Sequence, residues 1–112
     1  YGNKSSYERT TMLSRKMKLL AGEFNIPILV LLQLNRDLKT RDNKRPKLSD
    51  IRDSGAIEQD ADFVVFAHRE GYYNEEANQN ELELIIAKNR HGANNKTIKL
   101  NFDLKTQLIT CK

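Results

Sequence analysis

The first third of the chain has the apolar spacing of an amphipathic helix. Four apolar side chains recur three or four residues apart, at Leu13, Met17, Leu20 and Phe24. Lys and Arg occupy the positions between them, as is typical of a helix with one apolar face. The pattern predicts a helix of about 17 residues that ends near residues 22–25, because Pro27 cannot continue it. We expect the apolar stripe to be part of the core.

Two later runs are apolar without alternation, at residues 28–32 and 63–67. Side chains that are apolar on both faces are typical of strands covered on both sides, as in a parallel sheet. Roughly thirty mostly polar residues separate the two runs, and connections of that length are usually functional or disordered. We expect a functional connection.

From residue 81 the pattern changes to strict alternation. Leu82, Leu84 and Ile86 share one face, and residues 97–102 alternate again after the loop at 89–95. A short third strand is predicted at residues 107–111, which gives an antiparallel meander. If the first of these strands stays regular through Arg90, then Lys88 and Arg90 lie on the same face.

Composition limits the chain to one modest domain. It has 112 residues, of which 38% are hydrophobic and 30% charged, and a single cysteine, Cys111. A disulfide framework is therefore excluded, and no apolar run approaches the ~20 residues of a membrane helix. We expect a cytoplasmic protein that does not contact a membrane.

The net charge of +4 is weak evidence for a polyanionic partner, but the basic residues are concentrated in the long connection. They are Arg36, Lys39, Arg41, Lys44, Arg45, Lys47 and Arg52. Two interpretations remain open: a solvated, salt-bridged connection, or a surface that contacts phosphates. His68 has no companions at metal-ligand spacing, so no metal site is predicted.

Three motifs are similar to those of the bacterial replicative helicase DnaB family, in order and approximate spacing. They are residues 32–36 (Leu-Gln-Leu-Asn-Arg), 45–62 (Arg-Pro-Lys-Leu-Ser-Asp-Ile-Arg-Asp-Ser-Gly-Ala-Ile-Glu-Gln-Asp-Ala-Asp) and 88–92 (Lys-Asn-Arg-His-Gly). The resemblance implies that residues 1–112 are the C-terminal part of a RecA-like (P-loop NTPase) motor domain. The expected fold is thus α/β: a partial RecA-like core in which parallel strands precede the antiparallel meander.

The resemblance also implies roles for individual residues. Gln33 matches the glutamine that senses the γ-phosphate of ATP, and Lys88 and Arg90 match a finger pair that enters the adjacent subunit's ATP site. These three are the expected catalytic and nucleotide-contacting positions. Arg52, Asp53 and Gly55 match the loop that holds single-stranded DNA. The family more often has Glu where this chain has Asp53, so the side chain there has a shorter reach.

As a whole, such a protein is an ATP-dependent helicase that unwinds duplex DNA while translocating on single-stranded DNA. The resemblance implies ATP and Mg²⁺ as cofactors. It implies a homo-hexameric ring, a primase and a helicase loader as partners, and a location at the bacterial nucleoid.

Two nucleotide-binding elements of this family are missing from the sequence. No Gly-x-x-x-x-Gly-Lys-Ser/Thr loop occurs, and no apolar strand ends in a metal-holding aspartate. We therefore expect ATP and Mg²⁺ to be bound mainly by parts of the protein outside residues 1–112, and we expect the 112-residue chain alone to be inactive.

Two other functions stay open. A recombination or repair ATPase of the RecA superfamily would share Gln33 and a DNA loop, although the run at residues 54–62 fits it less closely. A nucleic-acid-binding module without enzymatic activity is the other alternative.

Overall fold

The computed structural model describes residues 6–34, 42–51, 54–93 and 95–112. Its elements, in chain order, are α1 (Ser6–Phe24), a 3₁₀ helix (Leu48–Asp50), α2 (Ser54–Asp60), β1 (Phe63–His68), α3 (Glu70–Tyr73), β2 (Glu81–Asn89), β3 (Lys96–Phe102) and β4 (Ile109–Cys111). They form two compact units, one with α1 and α2 and one with the sheet.

Helix α1 confirms the predicted helix, and its end has a clear local cause. Asn25 adopts a left-handed backbone conformation, with φ of 53°. The Ile26 N–H then donates to the Ala21 carbonyl at 3.1 Å, which is the long bond of a Schellman motif. Pro27 follows and prevents a further turn.

The expectation that the apolar stripe of α1 is part of the core is wrong in this structure. Leu13 is 57% exposed and Phe24 62% exposed. Ser14 on α1 is buried instead, and it faces α2. A helix buries the side that meets a neighbour, and in the helical unit that neighbour is α2, on the polar side.

The strand predicted at residues 28–32 is also absent. Residues 26–34 are in neither helix nor strand, and Leu29 and Leu31 are each 89% exposed. A strand requires a neighbouring strand for its backbone hydrogen bonds. Pairing among the described strands is antiparallel throughout, so the parallel part of the expected core does not appear among them.

The antiparallel meander is confirmed, and β1 extends it to a four-stranded sheet of order β1-β2-β3-β4. Leu84 lies opposite Ile98, and Leu100 opposite Cys111. The predicted strand at residues 63–67 is β1, but it pairs with β2 in antiparallel register instead of lying in a parallel sheet. Helices and sheet together give the α/β class that was expected.

The long connection between the two apolar runs is not a single loop, since it contains the 3₁₀ helix and α2. In the sheet unit, Arg45 fixes its middle part. The Arg45 guanidinium lies 2.7 Å from Glu83 Oε2 on β2 and donates to Thr97 Oγ1 on β3 at 3.1 Å. For Arg45, therefore, the interpretation of the connection as solvated and salt-bridged is correct. Arg36, Lys39 and Arg41 lie outside the described residues.

Among the described residues, the buried large apolar side chains are few: Ile51 in the helical unit, and Phe66 and Leu82 in the sheet unit. His68 is buried at the end of β1, where its Nε2 forms a 2.8 Å hydrogen bond with Glu70 and its ring stacks on Tyr73. This pairing fits a structural histidine. None of the described helices combines the length and the apolar character needed to cross a membrane.

Candidate functional site

Arg90 stands in the turn that follows β2, and Asp62 holds it at two points. The Arg90 backbone N–H donates to the Asp62 carbonyl at 2.9 Å, which continues the β1–β2 ladder by one pair. The Arg90 guanidinium forms an ion pair with the Asp62 carboxylate. Both side chains are exposed in part, at 38% and 52%.

The turn itself is ordered by Asn89. Its side-chain amide donates to the Ala93 carbonyl at 3.3 Å, and its side-chain oxygen accepts from the His91 N–H at 3.3 Å. The Gly92 N–H donates to the Asn89 carbonyl at 3.4 Å. Arg90 is thus carried by a turn with its own internal hydrogen bonds.

Lys88, the other residue of the expected finger pair, lies on β2. Val64 pairs with Lys88 and Val65 with Ile86, so β2 contains one extra residue, Ala87. This bulge precedes Lys88, and the pairing from Lys88 to Arg90 is regular. Residues two apart in a regular strand share a face. However, β2 ends at Asn89 and Arg90 lies in the turn, so the common face of Lys88 and Arg90 stays a prediction.

Gln33 and Gly55 belong to the helical unit, whereas Lys88 and Arg90 belong to the sheet unit. Gln33 follows the apolar run and is exposed. Gly55 was expected on a loop, but it lies in the first turn of α2. A Cβ at Gly55 would meet nothing within 4 Å, so the protein itself leaves open space there. Arg52 and Asp53 lie outside the described residues.

Helix α2 is fixed at its C-terminal end by a buried polar contact. Ser14 Oγ on α1 donates to Asp60 Oδ2 at 3.0 Å, and the Arg15 guanidinium lies 3.4 Å from Asp60 Oδ1. Ser14 and Asp60 are both 8% exposed. The residue that precedes α2 in the chain is Asp53, so this contact fixes the helix that follows the expected DNA loop.

Sequence reasoning assigned no role to Asp60 or Asp62. Both lie in the motif at residues 45–62, so the motif pointed to the right stretch but not to their partners. Each partner is far away in sequence, with a separation of 46 residues for Ser14 and Asp60 and of 28 for Asp62 and Arg90. Only the packing of α1 on α2, and of β1 on β2, brings these side chains together.

At the end of β2 away from Arg90, Lys112 reaches the sheet. Lys112 Nζ donates to Glu81 Oε2 at 2.8 Å. This hydrogen bond, helped by the charges of Lys112 and Lys99, lowers the pKa of the Glu81 carboxyl.

Among the described residues, no group of three or more His, Cys, Asp or Glu side chains could hold a metal ion.

Comparison with known proteins decides the family. The model of the DnaB-like helicase C terminal domain matches residues 2–110. The chain belongs to the DnaB-like helicase family. This membership confirms the resemblance drawn from the three motifs.

Curated proteins of the DnaB-like family align with most of the chain. The chain is 49% identical over 86 residues to the replicative DNA helicase DnaB of Geobacillus stearothermophilus, and the match covers 76% of the chain and 19% of that protein. It is 44% identical over 115 residues to replicative DNA helicase DnaB of Mycoplasma pneumoniae, and that match covers 96% of the chain and 24% of that protein. The chain thus spans roughly a fifth of the length of these curated relatives.

Solved structures match the whole fold. One solved ATPase domain superposes on the chain with a TM-score of 0.94 at 37% identity, covering 100% of the chain and 39% of that domain. The α/β fold of a RecA-like helicase domain is therefore confirmed.

Proposed function

We propose that the chain is the C-terminal portion of the motor domain of an ATP-dependent replicative DNA helicase, spanning residues 1–112. The observation that carries this proposal is the family match over residues 2–110, supported by relatives that are named replicative DNA helicases. Such an enzyme unwinds duplex DNA by translocating on single-stranded DNA. The superposition on a solved ATPase domain supports ATP as the energy source.

In this proposal ATP and Mg²⁺ are held mainly by other parts of the motor domain. The sequence lacks the Gly-rich loop that cradles phosphates and places a hydroxyl on Mg²⁺. The 112-residue chain alone then cannot hydrolyse ATP. It contributes instead the side chains that sense the nucleotide, hold DNA and act across the subunit boundary.

Lys88 and Arg90 form the proposed finger pair that reaches the ATP site of the adjacent subunit. Their position at the end of β2 and in the turn that follows it supports this role. A guanidinium that enters a phosphoryl-transfer site stabilises the charge that develops on the phosphate oxygens. It is also the side chain whose fork best matches such oxygens.

Gln33 is the proposed γ-phosphate sensor, and Arg52, Asp53 and Gly55 the proposed contacts to single-stranded DNA. Gln33 is exposed, as a side chain that reads a ligand must be. The open space around Gly55 supports close approach of a nucleic-acid backbone at that point. The Ser14–Asp60 contact supports a fixed position for α2, which follows the DNA-binding loop.

Partners follow from the same family. We propose a homo-hexameric ring, because a finger that acts in trans requires a neighbouring subunit. We also propose a cytoplasmic location at the nucleoid. A second solved structure, of a DnaB-like replicative helicase and its interactions with primase, has a TM-score of 0.94 with this chain at 37% identity, and the chain covers 27% of that protein. It supports a primase as one partner. A helicase loader is proposed as another, by the family resemblance alone.

The experiment that tests the proposed function uses mixed rings of the full-length helicase. Replacing Arg90 by Ala removes a cation from the neighbour's site, and we expect ATP turnover to fall about a thousandfold or more in pure Arg90→Ala rings, as for other arginine fingers. In mixed rings, turnover should fall as the fraction of variant subunits rises. Steady-state ATPase assays with saturating single-stranded DNA measure both.

Lys105→Ala is the matched control, because it removes an exposed cation from the β3–β4 turn at the opposite end of the sheet. Rings with Lys105→Ala should keep wild-type turnover. Undiminished turnover in Arg90→Ala rings would contradict the finger assignment.

A further inference from the structure

We propose that Asp62 is the positioning residue for the finger, and that its carboxylate orients the Arg90 guanidinium before the neighbouring ATP site engages it. This inference rests on the proposed function of Arg90. It assigns Asp62 a role in ATP turnover that acts through Arg90.

The first support is that Asp62 holds Arg90 at both ends of its side chain. The hydrogen bond from the Arg90 N–H to the Asp62 carbonyl fixes the backbone from which the side chain starts. The ion pair with the Asp62 carboxylate fixes the guanidinium at the other end. The pairs Val64–Lys88 and Phe63–Asn89 lead directly into this contact, so the sheet register places the two residues opposite each other.

The second support is that the contact is poorly suited to a purely structural role. Both side chains are exposed in part, and exposed ion pairs contribute little to stability because water screens them. The turn after β2 is already stabilised by the hydrogen bonds of Asn89. The ion pair does limit the rotamers of a long, flexible side chain, which lowers the entropy that Arg90 loses on binding phosphate.

The weakness of the pair also allows exchange. A phosphate offers the guanidinium several charged oxygens, whereas Asp62 offers one carboxylate in a solvated position. Arg90 can therefore leave Asp62 for the phosphate once a nucleotide lies within reach. A deeply buried pair could not exchange in this way without a large desolvation cost.

The test compares variants of the full-length helicase in ATPase assays with single-stranded DNA. We expect Asp62→Ala to lower kcat about tenfold, because a misplaced reacting group costs rate without costing affinity. The KM for ATP should change less than about twofold, since the finger acts mainly in the transition state. Asp62→Asn keeps an acceptor oxygen without the charge and should give an intermediate kcat.

A double variant separates positioning from loss of structure. If Asp62 acts through Arg90, then adding Asp62→Ala to Arg90→Ala rings should cause no further loss of kcat. A further loss would show a role independent of Arg90 and would overturn the inference. Glu75→Ala, which removes an exposed carboxylate from the α3–β2 connection, is the matched control and should behave as wild type.

The outcomes also separate this inference from the proposed function. If Arg90→Ala leaves turnover unchanged, the finger assignment fails and the inference fails with it. If Arg90→Ala depresses turnover while Asp62→Ala does not, only the inference fails. A raised kcat in Asp62→Ala would show that Asp62 holds the finger back, which also overturns it. Should Asp62→Ala rings fail to assemble, Asp62→Asn carries the same comparison.

Discussion

A single carboxyl, Glu81, shows how Lys112 acts on the sheet. Its pKa is lowered by the hydrogen bond from Lys112 and by the charges of Lys112 and Lys99. A lowered pKa means that the folded state favours the charged carboxylate. The resulting stabilisation is present above the ordinary carboxyl pKa and is lost as the pH falls through the lowered value.

Removing the donor should reverse this effect. In Lys112→Ala, we expect the pKa of Glu81 to rise toward its ordinary value, because the hydrogen bond and the nearer charge are both lost. Between acidic and neutral pH, the free energy of unfolding of the variant should then rise less than that of the wild type. Carboxyl-carbon NMR titration of Glu81 measures the pKa. Lys105→Ala, which removes a cation from the β3–β4 turn, should leave it unchanged, and an equal rise there would contradict the assignment.

At the scale of elements, the sequence predicted those structures whose signals are local. The meander could be read because alternation and a hairpin loop are both encoded within neighbouring residues. The helix end could be read from Pro27. The buried side of α1 could not, because burial depends on which element packs against it. Ser14 is a polar residue between Leu13 and Arg15 in sequence, and its burial follows from the position of Asp60 on α2.

The Ser14–Asp60 contact gives the prediction at this scale. In Ser14→Ala the buried Asp60 carboxylate loses a donor, and hydrogen bonds to charged groups contribute about 1.5–3 kcal/mol. We expect a loss of about 1–2 kcal/mol in the free energy of unfolding, because Arg15 remains beside Asp60. Urea denaturation of the full-length helicase, followed through its motor domain, measures this loss. Ser49→Ala, at an exposed serine in the 3₁₀ helix, should change stability far less; equal losses would argue against the contact.

At the scale of the whole molecule, some structural features are encoded by neighbouring residues, whereas others depend on the elements that surround a segment. Apolar residues at 28–32 indicate a segment suited to burial on both faces. Residues 28–32 do not form a strand, because a strand requires a hydrogen-bonded neighbouring strand and the local pattern does not encode that neighbour. Similarly, the motifs pointed to the proposed finger and DNA loop, whereas Asp62 required the β1–β2 register. Residues that act through a distant partner are the ones a pattern cannot reveal.

This view predicts how the 112-residue chain behaves as a separate polypeptide. Leu29 and Leu31 are each 89% exposed, and Leu13, Leu19 and Phe24 on α1 are more than half exposed. Exposed apolar runs and unpaired backbone favour association.

We expect the chain to self-associate at micromolar concentration, as measured by sedimentation velocity. The double variant Leu29→Lys/Leu31→Lys should shift the equilibrium toward monomer. A control pair, Ser49→Lys/Thr110→Lys, adds the same two charges at exposed polar positions and should not shift it. In the full-length helicase the same leucine substitutions should have the opposite consequence and destabilise the motor domain, because there we expect the segment to be covered. A wild-type chain that is monomeric at high concentration would show that residues 28–32 need no partner, and would remove the support for placing them in a larger sheet.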